Sequence, residues 1–202
     1  MEAEGRLYFK YGVMGSSKTA QALMSRFNYI QKGYGVLLIK PSIDNRFQEG
    51  KPEVISRIGL RADCLVFGNN DSIKAIVEKE KQERAIDVII VDESQFLTKE
   101  QVDEIKLISK DMPVVCYGLL TNFKTELFEG SKRLLEVADE IVNLKGSVCK
   151  CGRDATVNAR LVNGKVTTTG AEILIGAEES YESMCYWCFN DKLNENDEEK
   201  ER

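Results

Sequence analysis

The sequence predicts an α/β fold in which an open parallel sheet with flanking helices is followed by a small cysteine-containing domain. Up to about residue 144, short apolar runs alternate with amphipathic stretches, which is the pattern of βαβ units. The run 88–91 (VIIV) is apolar without alternation, as expected of a strand buried on both faces of a parallel sheet. Four of the six cysteines lie in residues 145–190, a region with little helical pattern. Open parallel sheets bind ligands at the carboxyl ends of their strands, so we expect the functional residues there.

Each element of the first region has its own signal. The apolar residues of the first helix recur at helical spacing, at Ala20, Leu23, Met24 and Phe27. Asp71 or Ser72 can cap the second helix, and residues 98–101 (TKEQ) fit a capping box at the start of the third. Residues 41–62 have no clear period and are expected to form an ordered loop. In chain order, strands are predicted at 6–11, 35–40, 64–67, 87–91, 113–119 and 140–144, and helices at 19–31, 71–84, from 98 onward and at 130–138.

The same patterns divide the chain into three regions. We expect a core at 1–144, a cysteine-containing domain at 145–190 and a tail at 191–202. The tail (DKLNENDEEKER) holds six acids and three bases, so we expect it to be solvated and disordered.

Composition excludes several classes of function. The chain has 202 residues and no histidine, which excludes catalytic triads, cysteine–histidine dyads, histidine-ligated metals and a histidine general base. The net charge of −5, without a basic tract, disfavours nucleic acid as the main partner. No apolar run approaches the roughly 18 to 20 residues that span a bilayer, and the first residues lack the pattern of a secretory signal. We therefore expect a cytoplasmic protein with reduced cysteines and no membrane partner.

Residues 12–19 (GVMGSSKT) form the strongest local motif. They lie between a predicted strand and a predicted helix and match the phosphate-binding pattern G-x-x-x-x-G-K-(S/T), except that Ser17 replaces its second glycine. In such a loop, backbone N–H groups surround phosphate oxygens, Lys18 reaches the β- and γ-phosphates, and Thr19 holds Mg²⁺. Ser17 is unfavourable if the loop needs a positive φ there. The alternative is a Gly/Ser turn with a chance Lys-Thr pair. As a nucleotide site, the loop comprises Gly12, Val13, Met14, Gly15, Ser16, Ser17, Lys18 and Thr19.

Two acids follow the buried strand 88–91. Asp92 is placed to bind Mg²⁺ together with Thr19, and Glu93 is the best-placed general base in a chain without histidine. Alternatively, both acids simply begin the next helix, where the helix dipole favours them. The capping box at Thr98 argues against this, because it starts that helix five residues later.

The cysteine pairs indicate a metal site. Cys149-x-Cys151 and Cys185-x-x-Cys188 are separated by 33 residues (152–184) and predict a structural Zn²⁺ bound by four thiolates. The alternative is that all four are reduced and packed as small apolar side chains. The other two cysteines, Cys64 and Cys116, lie on apolar strands and are expected to be buried and inert.

Together, these motifs resemble the cellular-type (type II) thymidine kinase family, closest to its bacterial members. The resemblance covers residues 6 to about 190 and rests on GVMGSSKT, DESQF (92–96) and ESYESMCYWC (179–188) in that order. Between them, the segments 43–47 (IDNRF), 56–60 (SRIGL) and 116–130 (CYGLLTNFKTELFEG) also match. The resemblance implies a P-loop, RecA-like parallel sheet with flanking helices, and a small zinc-ribbon domain that carries a "lasso" loop.

The resemblance also implies an activity and a set of site residues. Family members transfer the γ-phosphate of ATP, with Mg²⁺, to the 5′-hydroxyl of thymidine, and the product is dTMP. By resemblance, Glu93 is the proton acceptor, Asp92 and Gln95 lie beside the triphosphate, and Asp44 and Arg46 position the phosphates and the hydroxyl. The nucleoside would contact Phe96, Leu119, Phe123, Phe128, Ile173, Ile175, Gly176 and Tyr181, the last four in the lasso.

The family implies further properties, and other functions stay open. The implied properties are feedback inhibition by dTTP, a homotetramer and Zn²⁺ on Cys149, Cys151, Cys185 and Cys188. Asn158 stands where some members carry a Thr near the base. The alternatives are a P-loop ATPase or GTPase, and a non-catalytic nucleotide-binding regulator with a structural zinc site. A zinc-ribbon module for nucleic acid is disfavoured by the acidic charge.

Overall fold

A computed structural model describes residues 5–43, 51–170 and 180–200. The larger sheet consists of β1 (Leu7–Tyr11), β2 (Val36–Pro41), β5 (Leu65–Phe67), β6 (Val88–Val91), β7 (Val114–Gly118) and β8 (Glu140–Asn143). All its pairings are parallel, in the order β5-β2-β6-β7-β1-β8. Its helices are α1 (Lys18–Gln31), α2 (Ile73–Glu83), α3 (Lys99–Ile108) and α4 (Glu129–Val137). The predicted α/β fold with an open parallel sheet is confirmed.

Both faces of the larger sheet are buried, as the apolar run 88–91 predicts. Ile89 and Val91 belong to an apolar cluster that includes side chains of α2, α3 and α4, whereas Val88 and Ile90 belong to a second cluster that includes α1. All four residues of β6 are at most 1% exposed. The alternation of side chains along the strand thus divides them between two helical layers.

The strand order brings distant segments to one edge. The phosphate-binding motif follows β1, the acid pair follows β6, and Leu119 follows β7, which lies between those two strands. Because the strands are parallel, their carboxyl ends meet at one edge of the sheet, and the predicted site residues are gathered there.

A second, antiparallel sheet follows the core. It has the order β10-β9-β11 and consists of β9 (Val157–Val162), β10 (Lys165–Thr167) and β11 (Ser180–Met184). One face packs with α5 (Tyr186–Lys200) in an apolar cluster that includes Val157, Ala159, Met184 and Phe189. The other face carries polar side chains directed at the phosphate-binding loop.

Two segments differ from the sequence predictions. A loop is expected at 41–62, but a short hairpin of β3 (Glu53–Ile55) and β4 (Arg61–Asp63) begins there and ends one residue beyond. Strands of three residues are too short to show a period. The charged tail was expected to be disordered, yet α5 continues to Lys200. Its first turns are anchored by Phe189 and Leu193, and adding residues to an existing helix is much easier than starting one. Within the part of the chain that the structure describes, no helix combines the length and apolar character needed to cross a membrane.

Candidate active site

The phosphate-binding motif forms a compact loop between β1 and α1. The Gly12 N–H donates to Gly118 O at 3.3 Å, and the Ser16 N–H donates to Val13 O at 3.2 Å. Gly12 has no room for a side chain, because a Cβ there would lie 2.4 Å from Ser16 Oγ and 2.7 Å from Leu144 O. The loop ends at the N-terminus of α1, where free backbone N–H groups favour an anion.

Ser17 occupies the left-handed region, as the missing glycine of the motif suggested. Its φ is +61° and its ψ is +22°, and it is the residue that precedes α1. A residue with a Cβ is held there at a cost of about 1 kcal/mol relative to glycine.

We expect Ser17→Gly to retain activity and to lower the KM for ATP or leave it unchanged, because glycine relieves the left-handed strain. Steady-state kinetics at varied ATP measures this. The matched control is Gly33→Ala, which introduces the same strain at φ +85° with no atom within 4 Å of the new Cβ. Gly33→Ala should lower the unfolding temperature and leave the KM for ATP unchanged. Loss of activity in Ser17→Gly would instead give the Ser17 hydroxyl a direct role.

Lys18 lies across the loop with its charge close to the acid pair. Its Nζ donates to Val13 O at 2.8 Å. Burial lowers the pKa of Lys18 to about 8, although the neighbouring carboxylates of Glu93 and Asp92 raise it. A bound polyphosphate would add negative charge and favour the ammonium form.

Asp92 and Thr19 bring two oxygen ligands together. The Thr19 hydroxyl donates to Asp92 Oδ1 at 3.5 Å, and Asp92 is 4% exposed. Burial, with the charge of Glu93, raises the pKa of Asp92. A divalent cation beside the pair would favour the ionised carboxylate, and hard oxygen ligands suit Mg²⁺, so the residues present fit this ion.

Glu93 is held at the edge of a cavity by its backbone and by Gln95. Its φ is +52°, and its Oε2 accepts from Gln95 Nε2 at 2.6 Å. Gln95 Oε1 in turn accepts from the Leu119 N–H at 3.0 Å. Gln95 therefore connects the acid to the segment after β7. This contact is close because Gly118 has no side chain: a Cβ there would lie 2.9 Å from Gln95 Oε1.

A cavity of about 230 Å³ brings the predicted groups together. Lys18, Thr19, Glu93 and Leu119 all line it. The turn of the β3–β4 hairpin adds Arg57, to which the sequence analysis gave no role of its own. The hairpin strands are too short to show a period, so the sequence alone does not place the guanidinium beside Lys18.

Four of the predicted nucleoside residues follow β6 and β7, and we call them the aromatic cluster: Phe96, Leu119, Phe123 and Phe128. Leu119, Phe123 and Phe128 are at most 8% exposed, and the rings of Phe96 and Phe128 meet edge to face with centroids 5.6 Å apart. Tyr181, on β11, is linked to Phe123 by Arg160, which contacts both side chains.

Arg160 is a buried cation that belongs to none of the sequence motifs. It is 1% exposed, and its guanidinium lies 3.6 Å from the centroid of the Phe123 ring. Its Nε and Nη2 donate to the Tyr181 hydroxyl at 2.9 and 2.7 Å. Its place depends on the pairing of β9 with β11, which aligns Arg160 with Tyr181 across 21 residues. No local sequence pattern reports such a register.

Five predicted site residues lie outside the described residues: Asp44, Arg46, Ile173, Ile175 and Gly176.

The four clustered cysteines meet as predicted. Their sulfur atoms all lie within 4.8 Å of one another, and Cys151 Sγ is 3.6 Å from Cys185 Sγ. A tetrahedral zinc with Zn–S bonds of about 2.3 Å places its sulfurs about 3.8 Å apart, so the cluster fits this ion. The Cys188 N–H donates to Cys185 Sγ. This hydrogen bond is the main reason that the pKa of Cys185 is lowered to about 6. Neighbouring sulfurs raise the pKa of Cys188 to about 12, and a bound cation would favour its thiolate form.

The remaining cysteines are buried, as expected. Cys64 is 8% exposed and Cys116 is fully buried, and burial raises the pKa of the Cys116 thiol. A thiol kept protonated in this way is a poor nucleophile.

Comparison with known proteins identifies the family. The family model described as "Thymidine kinase" matches residues 5–189, which include the phosphate-binding loop, the acid pair and all four clustered cysteines. The chain belongs to the thymidine kinase family. Among this family, the thymidine kinase of Shewanella oneidensis is 44% identical over 183 residues, covering 89% of this chain and 94% of the relative. That of Zymomonas mobilis is 41% identical over 192 residues, covering 94% and 98%, and that of Rhodopirellula baltica is 37% identical over 198 residues, covering 96% and 92%. The predicted family is thus confirmed, and the match covers both sheets of the structure.

Proposed function

We propose that this chain transfers the γ-phosphate of ATP to the 5′-hydroxyl of thymidine, with dTMP and ADP as products. The observation that carries the proposal is the cavity in which Lys18, Thr19 and Glu93 meet Leu119 at the edge of the aromatic cluster. Membership of the thymidine kinase family supports the same substrates.

The residues of the cavity have separate roles in the transfer. The backbone of residues 12–17 and Lys18 bind the triphosphate, and Thr19 with Asp92 would hold Mg²⁺, which neutralises phosphate charge when bound. The hydroxyl oxygen bonds to the γ-phosphorus, the bond from that phosphorus to the β–γ bridging oxygen breaks, and its electron pair stays on ADP. Glu93 takes the hydroxyl proton. Asp44 and Arg46 position the phosphates and the hydroxyl, and Gln95 lies beside the triphosphate.

The proposed nucleoside pocket is formed by Phe96, Leu119, Phe123 and Phe128 with the lasso residues Ile173, Ile175, Gly176 and Tyr181. Aromatic walls suit a flat pyrimidine, and backbone groups of a loop can bind its polar edge. We include structural Zn²⁺ on the four clustered cysteines, a homotetramer, inhibition by dTTP and a cytoplasmic location in the proposal. Exposed apolar side chains on one face of α1 support an assembly, at Met24, Phe27 and Ile30.

Release of ADP with and without thymidine, together with transfer of labelled γ-phosphate to the nucleoside, tests the function. We expect turnover only when thymidine, ATP and Mg²⁺ are all present. An ATPase would release ADP without the nucleoside, and a regulator would release none under either condition. Either result would contradict the proposal.

We expect Tyr181→Ala to raise the KM for thymidine about 10-fold or more while the KM for ATP changes much less. The ring is proposed to contact the nucleoside, and its loss would also remove the hydroxyl to which the Arg160 guanidinium donates. The matched variant Tyr181→Phe keeps the ring and should have a smaller effect. Equal increases in both KM values for the alanine variant would place Tyr181 outside the nucleoside site.

A further inference from the structure

The small sheet holds the phosphate-binding loop through two opposed side chains. Asn158 on β9 and Ser183 on β11 are direct cross-strand partners. Asn158 Oδ1 accepts from the Met14 N–H at 2.7 Å, and the Ser183 hydroxyl donates to Met14 O at 2.6 Å. Both backbone polar groups of Met14 are therefore bound by the small sheet, and we call these three residues the Met14 clamp.

The Met14 clamp is buried at Asn158, which is 3% exposed, and partly buried at Met14 and Ser183. Removing the Asn158 oxygen would leave the Met14 N–H without this partner, and an unsatisfied N–H that is partly shielded from solvent is unfavourable. Met14 itself lines the cavity beside Lys18 and Glu93, so the clamp acts within the proposed site.

The same face of the small sheet also reaches the aromatic cluster. Alternate residues of a strand share one face, so Arg160 lies beside Asn158 and Tyr181 beside Ser183. Arg160 pairs with Tyr181 in the register and stacks on Phe123. Along each strand the two rows are two residues apart, or about 7 Å. One sheet therefore contacts the phosphate-binding loop with one row and the nucleoside residues with the next.

We propose that the Met14 clamp couples the two substrate sites, so that thymidine and ATP strengthen each other's binding. The inference rests on the proposed function, because the nucleoside site is part of it. A nucleoside against Phe123 and Tyr181 restrains the row that contains Arg160, and the hydrogen-bonded strands transmit this restraint to Asn158 and Ser183. The clamp then restrains Met14, so a phosphate finds the loop already ordered. Such coupling is reciprocal by thermodynamic necessity. Asn158 and Ser183 are positioning residues, since they act through Met14.

Calorimetric titration tests the coupling with Mg²⁺ and the β,γ-imido analogue of ATP, in the absence and presence of saturating thymidine. For the wild-type protein we expect thymidine to lower the Kd of the analogue about 5-fold or more, within the usual range of allosteric coupling. The reverse titration should show the same factor for thymidine. In Asn158→Ala and in Ser183→Ala, thymidine should leave the Kd of the analogue almost unchanged, a factor close to 1. Ser183→Thr keeps the hydroxyl and should show the wild-type factor.

The matched control is Glu182→Ala, on the same strand. Glu182 faces away from the clamp and contacts Lys150 at 2.9 Å at the surface, so its removal should leave the factor unchanged. Zinc content and unfolding temperature are measured for every variant, and the Ser183→Ala and Ser183→Thr pair decides the result if Asn158→Ala does not fold.

The proposed coupling is overturned if thymidine does not change the Kd of the analogue in the wild type. It is also overturned if the folded alanine variants show the same change in Kd as the wild type. The proposed function is judged separately from dTMP formation by the wild-type protein. Transfer without coupling would reject only the clamp, whereas the absence of transfer would reject the proposed reaction.

Discussion

Glu93→Gln should lower kcat by about 10² to 10⁴-fold and leave ATP binding nearly unchanged, because the variant loses only the proton acceptor. Glutamine has the shape of glutamate and keeps an oxygen that can accept the Gln95 hydrogen bond, which is 2.6 Å long in the structure. It also has the same Cβ, so the left-handed backbone at φ +52° is under no new strain. A change in kcat can therefore be assigned to chemistry and not to folding.

The experiment compares single-turnover rates of phosphate transfer with the Kd of the ATP analogue. The matched control is Glu100→Gln, which makes the same substitution in the first turn of α3, at an exposed position. The control should behave as the wild type in both measurements. A transfer rate within about threefold of the wild type in Glu93→Gln would remove Glu93 from the mechanism.

Cys185→Ser should abolish stoichiometric metal binding and unfold the small domain, while the larger sheet stays folded. Its sulfur lies 3.6 Å from that of Cys151, and structural zinc contributes roughly 10 kcal/mol or more to the folding of such modules. Cys149 and Cys185 are themselves members of the apolar cluster beneath the small sheet, so loss of the metal site also disturbs that cluster. The larger sheet has two apolar clusters of its own.

Elemental analysis and hydrogen exchange measure the two parts of this expectation. We expect about one zinc per chain in the wild type and almost none in Cys185→Ser, with faster exchange of β9 amides and unchanged exchange of β6 amides. Transfer to thymidine should fall at least 100-fold, because Tyr181 and the Met14 clamp both depend on the small sheet. Cys64→Ala, at a buried cysteine outside the cluster, should keep the metal. Metal-free wild-type protein with full activity would contradict the expectation.

The elements that sequence predicts well are those with a local signal. The apolar run 88–91 identifies β6 because a strand buried on both faces needs no polar residues, and the capping box at Thr98 marks the start of α3. The phosphate-binding motif identifies the loop before α1, and its usual glycine raises the question of a left-handed backbone at Ser17, where φ is +61°. These features depend on residues close together in the chain.

The features that sequence does not predict depend on register and on long-range packing. Arg160 reads as one basic residue in a short strand, yet pairing with β11 buries it between Phe123 and Tyr181. Ser183 is likewise unremarkable until the strands are aligned and its hydroxyl is found on Met14 O. The hairpin that carries Arg57 is missed because its strands are too short for periodicity.

The position of β1 in the larger sheet has a consequence for how the chain folds. This first strand pairs on one side with β7, aligning Leu7 with Val114, and on the other with β8, aligning Tyr8 with Glu140. Both neighbours are made more than a hundred residues later, so β1 cannot join the sheet until most of the core has left the ribosome. Closing such long loops is entropically unfavourable and slows folding. A nascent chain therefore carries its phosphate-binding motif well before β7 and β8 are made, but the site itself forms late.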